Sequence, residues 1–176
     1  MNLIEKAKQF AYKQHCKPEP QRYGNALYSK HLADAVAVAE RYLYYLKEDD
    51  RTNVIIACWL HDVIEDTNIT PVKLEMLFNH TVADIVYRVS NEMGWTRTEK
   101  NFKTYPKIWT HDLAIFVKLC DRIANTRNSK ECTDKHAQKM YKTYTGEYLI
   151  FRAAIKVRNL YPEMWKELDE LNTPNR

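Results

Sequence analysis

Between Ala57 and Thr67 an apolar run, Ala57-Cys58-Trp59-Leu60, passes directly into His61-Asp62-Val63-Ile64-Glu65-Asp66. An imidazole and three carboxylates crowded onto the end of a greasy segment do nothing for the stability of a core helix. At about 100° per residue, a continuous helix would hold His61, Asp62, Glu65 and Asp66 within about 140° of one another, on one face. Ionised carboxylates converging in an apolar setting are costly unless a positive charge compensates them. Such a face therefore asks for a metal ion or a basic substrate, and a metal ion is the simpler solution.

Two further residues share this odd placement at the edge of an apolar run, His31 and Asp121. With His61 and Asp62 they make two imidazoles and two carboxylates. That mixed nitrogen and oxygen set suits Mn²⁺, Fe²⁺ or another first-row divalent ion better than Ca²⁺ or a thiolate metal. Four protein ligands on an ion that prefers six leave positions for water and substrate, which marks catalysis rather than a structural site. Singly these signals are weak, since a His-Asp pair is common by chance; the sum carries the reading. His15, His80, His111 and His136 lack such a context and read as ordinary surface histidines.

The elements that must position these groups all have helical spacing, and none reads as a strand. Residues 2–15 form a first amphipathic helix, and Cys16 to Ala26 is a loop punctuated by Pro18, Pro20 and Gly24. A second helix runs from about Tyr28 to Lys47 with His31 in its first turn and Leu32, Ala35, Val36, Ala39, Leu43 and Leu46 on one side. Asp49-Asp50 offers the N-cap of a third helix that delivers His61-Asp62. Thr70-Pro71 starts a short helix to Phe78, and residues 81–92 continue the pattern. The segment from Met93 to Lys107 is basic, aromatic and weakly periodic, and is expected to lie over a surface or lip. A greasy helix from Asp112 carries Asp121, a long helix spans 134–158, and a terminal one from Tyr161 to Leu171 bears Trp165 and Leu168. The expectation is all-α, one domain over residues 1–176.

Composition agrees. With 176 residues, three Gly and six Pro, the chain is long enough for a real core and leaves little room for a flexible linker. Its N-terminus is charged and amphipathic rather than signal-like, and no apolar run approaches the ~20 residues of a membrane span. Cys16, Cys58, Cys120 and Cys132 form no C-x-x-C pair, so a reducing, cytoplasmic setting without disulfides or zinc thiolates is expected. A net charge of +4 and a pI near 8.8 favour an anionic small ligand about as much as nucleic acid. No basic stripe with regular aromatics supports nucleic-acid binding.

The pattern H…HD…D resembles that of the HD-domain phosphohydrolases. Glu65-Asp66-Thr67 after His61-Asp62 is similar to the hydrolase domains of the RelA/SpoT alarmone family, as are Arg22 and Tyr28 ahead of His31. The run Val117-Lys118-Leu119-Cys120-Asp121-Arg122-Ile123-Ala124-Asn125-Thr126-Arg127 is similar to that family's K-x-A-D-R-x-x-N-x-R segment. The matching stretch covers about residues 3–130, followed by helices over about 134–171. The resemblance implies an HD-type helical bundle in which His31, His61, Asp62 and Asp121 hold one Mn²⁺. It also implies that Glu65 and Asp66 position and deprotonate the attacking water, and that Arg22, Lys118 and Asn125 face the nucleotide. The family's P-Y-I-x-H-P becomes Leu27-Tyr28-Ser29-Lys30-His31-Leu32, and the basic residue that often follows the loop arginine is Tyr23. The chain resembles a small, hydrolase-only member, without synthetase or regulatory domains.

Three functions follow as expectations. The first is a Mn²⁺-dependent hydrolase removing pyrophosphate from the 3′ position of (p)ppGpp. The second is a broader HD phosphatase acting on a nucleotide monophosphate or dinucleotide. The third, of another class, is an HD domain that binds a nucleotide or protein partner without turnover. Intact Glu65-Asp66 favours hydrolysis, because adjacent like charges raise the pKa of one of them into the range of a general base. Arg22, Lys118, Arg97, Lys100 and Lys103 are available to neutralise phosphates, although the Arg97 to Lys107 segment could equally be a solvated basic loop. Arg122 and Arg127 are each expected to pair with a carboxylate. Tyr28 and Trp95 could stack on a base, whereas Trp59 is assigned to packing.

Overall fold

The computed structural model describes residues 2–24, 26–156 and 159–173. The chain opens with α1 (Leu3–His15), whose Asn2 cap accepts a hydrogen bond from the Glu5 amide at 2.8 Å. A two-stranded antiparallel hairpin follows, β1 (Arg22–Tyr23) and β2 (Ala26–Leu27), pairing Arg22 with Leu27 and Tyr23 with Ala26. This corrects the reading of that stretch as loop alone. Its turn includes Gly24 at φ +58, a left-handed conformation that favours glycine.

Next come α2 (Ser29–Tyr42), a single 3₁₀ turn at Leu43–Tyr45, and α3 (Glu48–Leu60). Asp49 and Asp50 do not cap α3; Lys47 occupies the cap position, and Glu48, Asp49 and Asp50 form the first turn. Acidic residues there oppose the positive end of the helix dipole, which explains their clustering equally well. After α4 (Val63–Asp66), Thr70 caps α5 (Pro71–Leu77) as expected, its hydroxyl accepting from Lys73 at 3.2 Å. Asn79 does the same for α6 (His80–Val89).

The segment expected as a weakly periodic lip is a regular helix, α7 (Arg97–Trp109). The signal was Thr96-Arg97-Thr98-Glu99, a capping-box spacing in which Thr96 accepts from the Glu99 amide at 3.1 Å. Thr104, Tyr105 and Ile108 supply its buried stripe. Then come α8 (Asp112–Glu131), α9 (Lys135–Ile155, capped by Asp134) and α10 (Pro162–Asn172). The expected extension of α9 to 158 lies outside the described residues, as does Asn25 of the hairpin.

Two helices lack a polar side where they cross the centre. Val54 to Leu60 of α3 are all buried, and α8 buries Ala114 to Val117, Leu119 to Ala124, and more beyond. Helices buried all round must be wrapped by others. α2 packs on both, α1 on α3, α6 on both, and α9 and α10 on α8. One contiguous apolar cluster results, with Phe116, Phe151 and Trp165 among its largest members. Among the described residues no helix is long and apolar enough to cross a membrane.

Candidate metal centre and cavity

α3 ends at Leu60 and α4 begins at Val63, and His61 and Asp62 form the turn between them, both with backbone in the right-handed helical region. Neighbours in a regular helix point about 100° apart and do not face each other. Even so, the two side chains reach toward one point, and Asp62 Oδ2 comes within 3.0 Å of its neighbour's Nε2. Asp62 makes no side-chain cap for α4, because its carboxylate is turned to the histidines instead.

His31, in the first turn of α2, and Asp121, midway along α8, complete the group. Nε2 of His31 lies 3.0 Å from Nε2 of His61, 3.4 Å from Asp62 Oδ2 and 3.4 Å from Asp121 Oδ1. Nε2 of His61 lies 3.6 Å from that Asp121 oxygen. Both imidazoles and Asp121 are buried. Thus His31, His61 and Asp121 offer ligand atoms that all lie within 4.8 Å of one another, and Asp62 joins them through its contacts with the two imidazoles.

This donor set fits a divalent ion. Nδ1 of His61 sits 2.8 Å from the Cys58 carbonyl, which places a proton on Nδ1 and leaves the Nε2 lone pair facing inward. Ligands about 2.1 Å from an ion are separated by about 3.0 Å along an octahedral edge and about 3.4 Å along a tetrahedral one. The observed spacings, 3.0 to 3.6 Å, lie close to those values. Electrostatics point the same way. Burial opposes charge on His31 and His61, yet the adjacent Asp62 and Asp121 carboxylates raise both pKa values. Burial likewise disfavours ionisation of the two aspartates, but His61 and His31 around Asp62, and Lys118 and the histidines around Asp121, hold them well below the usual range. The point attracts a cation.

Around it lies a cavity of about 430 Å³, within the range of small-molecule sites. Arg22, Tyr28, Glu65, Arg97, Lys118 and Asn125, all named from sequence, line it. Asp66 does not; it stands beside Tyr28, whose hydroxyl donates to Asp62 Oδ2 at 2.5 Å. Burial, then the charges of Asp62 and Glu65, push the Asp66 carboxyl up to about 6. Lys118 bonds Asp121 Oδ2 at 2.9 Å, and the charges of Asp121, Glu65 and Asp62 keep it protonated despite burial.

Arg97 lies 2.5 Å from Glu147, which also takes the buried Arg122 at 3.1 Å, and Arg127 pairs with Glu167. Lys100 and Lys103 do not line the cavity, and Lys103 is turned to Glu99 and the Met93 carbonyl. Trp95 is almost fully exposed away from it, and Trp59 is packed edge-on against Tyr12. His15 corrects the expectation of a surface histidine. It is buried, stacked on Tyr28 at 4.7 Å, with Nδ1 2.5 Å from Gln21 Oε1. Its place at the end of an amphipathic helix gave no sign of the hairpin that folds back over it.

Sequence reasoning missed Asn91 as a site residue and treated Tyr23 only as a departure. Asn91 grips Glu65 twice, from its backbone amide at 3.2 Å and its side-chain amide at 2.8 Å. Nothing in the local pattern marks Asn91, which sits just past the end of α6. His136 and Asp134 also line the far side of the cavity.

No family model matches the chain. A guanosine-3′,5′-bis(diphosphate) 3′-pyrophosphohydrolase, MESH1, from Danio rerio is 32% identical over 115 residues, covering 64% of this chain and 63% of that protein. Its Xenopus tropicalis namesake is 35% identical over 83 residues, 47% and 46% of the two chains. A Borreliella burgdorferi guanosine-3′,5′-bis(diphosphate) 3′-pyrophosphohydrolase is 25% identical over 132 residues, 64% of this chain and 20% of that protein. The matches thus span less than two thirds of these relatives. A solved metazoan ortholog of SpoT, described as hydrolysing ppGpp and playing a role in starvation responses, superposes with a TM-score of 0.76 at 19% identity, covering 97% of this chain and 94% of that one. At that identity the likeness shows the fold, a helical bundle as expected from the sequence.

Proposed function

We propose that the chain is a metal-dependent hydrolase that removes pyrophosphate from the 3′ position of (p)ppGpp, as one catalytic domain working on a small nucleotide in the cytoplasm with Mn²⁺. The observation that carries this is the cluster of His31, His61 and Asp121, with Asp62 against both imidazoles, beside a cavity that His31, Asp62 and Asp121 line together with Arg22, Lys118 and Glu65. The relatives that hydrolyse this nucleotide support the choice of substrate.

His31, His61, Asp62 and Asp121 would hold the ion, which when bound supplies Lewis acidity toward a phosphoryl oxygen and acidifies water. Glu65, fixed by Asn91 and facing the cavity, orients the attacking water. Asp66, whose carboxyl is pushed up to about 6 and which stands beside Tyr28 rather than on the cavity lining, receives the proton by way of a second water. The water oxygen bonds to the phosphorus carried by the 3′ oxygen, the bond from that phosphorus to the 3′ oxygen breaks, and the leaving 3′ oxygen takes up the proton that Asp66 accepted, returned through solvent, to give the 3′-hydroxyl. Lys118 and Arg22 neutralise the phosphates, arginine in a bidentate manner. Arg97 joins them only by giving up part of its pairing with Glu147. Tyr28 orients Asp62 through its hydroxyl and shields the centre with its ring.

Incubation of the purified protein with ppGpp and Mn²⁺ tests the assignment. Release of pyrophosphate and GDP is expected. Release of orthophosphate would transfer the chain to the broader nucleotide phosphatases, and binding without any product would make it a nucleotide-binding domain.

A further inference from the structure

The hairpin residue Tyr23 has a partner that its neighbours in sequence do not explain. Its ring lies against the His31 imidazole, centroids 4.9 Å apart and tilted by 33°, and its hydroxyl donates to Asn125 Oδ1 at 2.9 Å across a sequence separation of 102. Asn125 in turn donates from Nδ2 to Asp121 Oδ1 at 2.6 Å. The direction of this chain of bonds is forced. An ionised carboxylate only accepts, so the amide must present its NH₂ to Asp121, and its carbonyl is left as the acceptor for the phenol. Both ends of Asn125 are thereby engaged.

We propose that Tyr23 is a positioning residue for the metal centre, acting through Asn125 to fix the Asp121 carboxylate in its ligating orientation. Asp121 carries one donor on each oxygen, Lys118 on Oδ2 and Asn125 on Oδ1. Lys118 is on the same helix, one turn away, and follows Asp121 wherever that helix goes. Asn125 is on the helix too, so neither ties α8 to the hairpin. Tyr23 does, and its ring also braces His31 on α2. One side chain therefore couples two ligands that belong to different helices. Bonds to groups that hold metal ligands typically change metal affinity by about 10–100-fold when removed. The Tyr23 hydroxyl is one bond further out, so about tenfold is expected.

The inference rests on the metal reading above, and the test separates the two. Mn²⁺ alone is titrated calorimetrically into wild type, Tyr23→Phe, Asn125→Ala and the double variant, with thermal melts of each metal-free protein. Tyr23→Phe keeps the ring and loses the hydroxyl. Its Mn²⁺ dissociation constant should rise about tenfold while the metal-free melt stays close to wild type. Asn125→Ala should weaken binding by about 10–100-fold, and adding Tyr23→Phe to it should weaken binding no further, since the hydroxyl acts only through the amide. Unchanged affinity in Tyr23→Phe, or losses that simply multiply in the double variant, overturns the relay while leaving the metal centre standing. A wild type that binds no Mn²⁺ overturns the metal centre and the relay with it. As a reading independent of metal, the Asn125 side-chain amide resonances of the metal-free protein should shift in Tyr23→Phe; if they stay in place, the contact itself is refuted.

Discussion

Nε2 of His31 and Nε2 of His61, thirty residues apart in the chain, face each other at 3.0 Å in the interior of the bundle. Two imidazoles do not approach in this way for their own sake. At most one hydrogen bond can form between those nitrogens, and two carboxylates crowd the same point. The carboxylates need compensating positive charge, which protons on the imidazoles or a bound cation can supply.

Mn²⁺ should therefore stabilise the fold. At a hundred times its dissociation constant the gain is about 2.7 kcal/mol, or about 5–10 °C in Tm for a chain of this size. Chelator should reverse the shift in a thermal melt. A melting curve indifferent to both additions would remove the basis of the hydrolase reading.

Replacing the acids beyond Asp62 should separate chemistry from metal binding. Glu65→Gln and Asp66→Asn are each expected to lower kcat by about 10²–10⁴ while calorimetry shows Mn²⁺ still bound. Asn91→Ala should lower kcat less than Glu65→Gln, because it frees the carboxylate without deleting it. Turnover near wild type in both acid variants would exclude them as the water-activating pair.

Asp66 also makes a prediction about pH. Its carboxyl is pushed up to about 6 by burial and by Asp62 and Glu65, so ionisation is less favourable in the fold than in the unfolded chain. The penalty is absent below the ordinary aspartate range, grows as pH rises toward 6, and is fully present above it. Metal-free Asp66→Asn should consequently melt higher than wild type at pH 7 and at the same temperature near pH 3.5. Identical melts at both values would contradict the crowding described here. In the metal-loaded enzyme the rate should rise through an acid limb at or below pH 6, since bound positive charge eases the same ionisation.

Glu147 behaves in the opposite sense. Burial disfavours its charge, but Arg97 and Arg122 outweigh that and hold its pKa below the ordinary glutamate value. Its contribution is complete above about pH 4.5 and is lost as pH falls through the depressed value. Glu147→Gln should destabilise the protein at pH 7, leaving the buried Arg122 guanidinium without its carboxylate, and should flatten the acid limb of Tm against pH. A variant whose melt parallels wild type from pH 3 to 7 would show that the pair contributes nothing.

Much of this was legible in the chain. Apolar spacing located the helices, Thr70-Pro71 located a start, and His31, His61, Asp62 and Asp121 stood out because charged groups at the edges of buried runs need a reason. Where local signals were absent or misweighted, the reading failed for identifiable causes. The α7 helix was hidden by its basic, aromatic composition although Thr96 and Glu99 announced its cap. The hairpin was too short to show alternation, and Asp49-Asp50 suited a first turn as well as a cap.

By itself, then, the sequence determined the chemistry on offer: which side chains carry groups able to bind a metal or take a proton, and which runs must be buried around them. Side-chain type and helical period are local properties, and they can be read without a partner. Only the tertiary structure decided the directions. Packing brought His31 against the His61-Asp62 pair, the hairpin carried Tyr23 to Asn125 and buried His15, and the end of α6 brought Asn91 to Glu65. Those contacts join residues up to a hundred positions apart, and what brings them together is the packing of helices around α3 and α8, which no short stretch of chain contains.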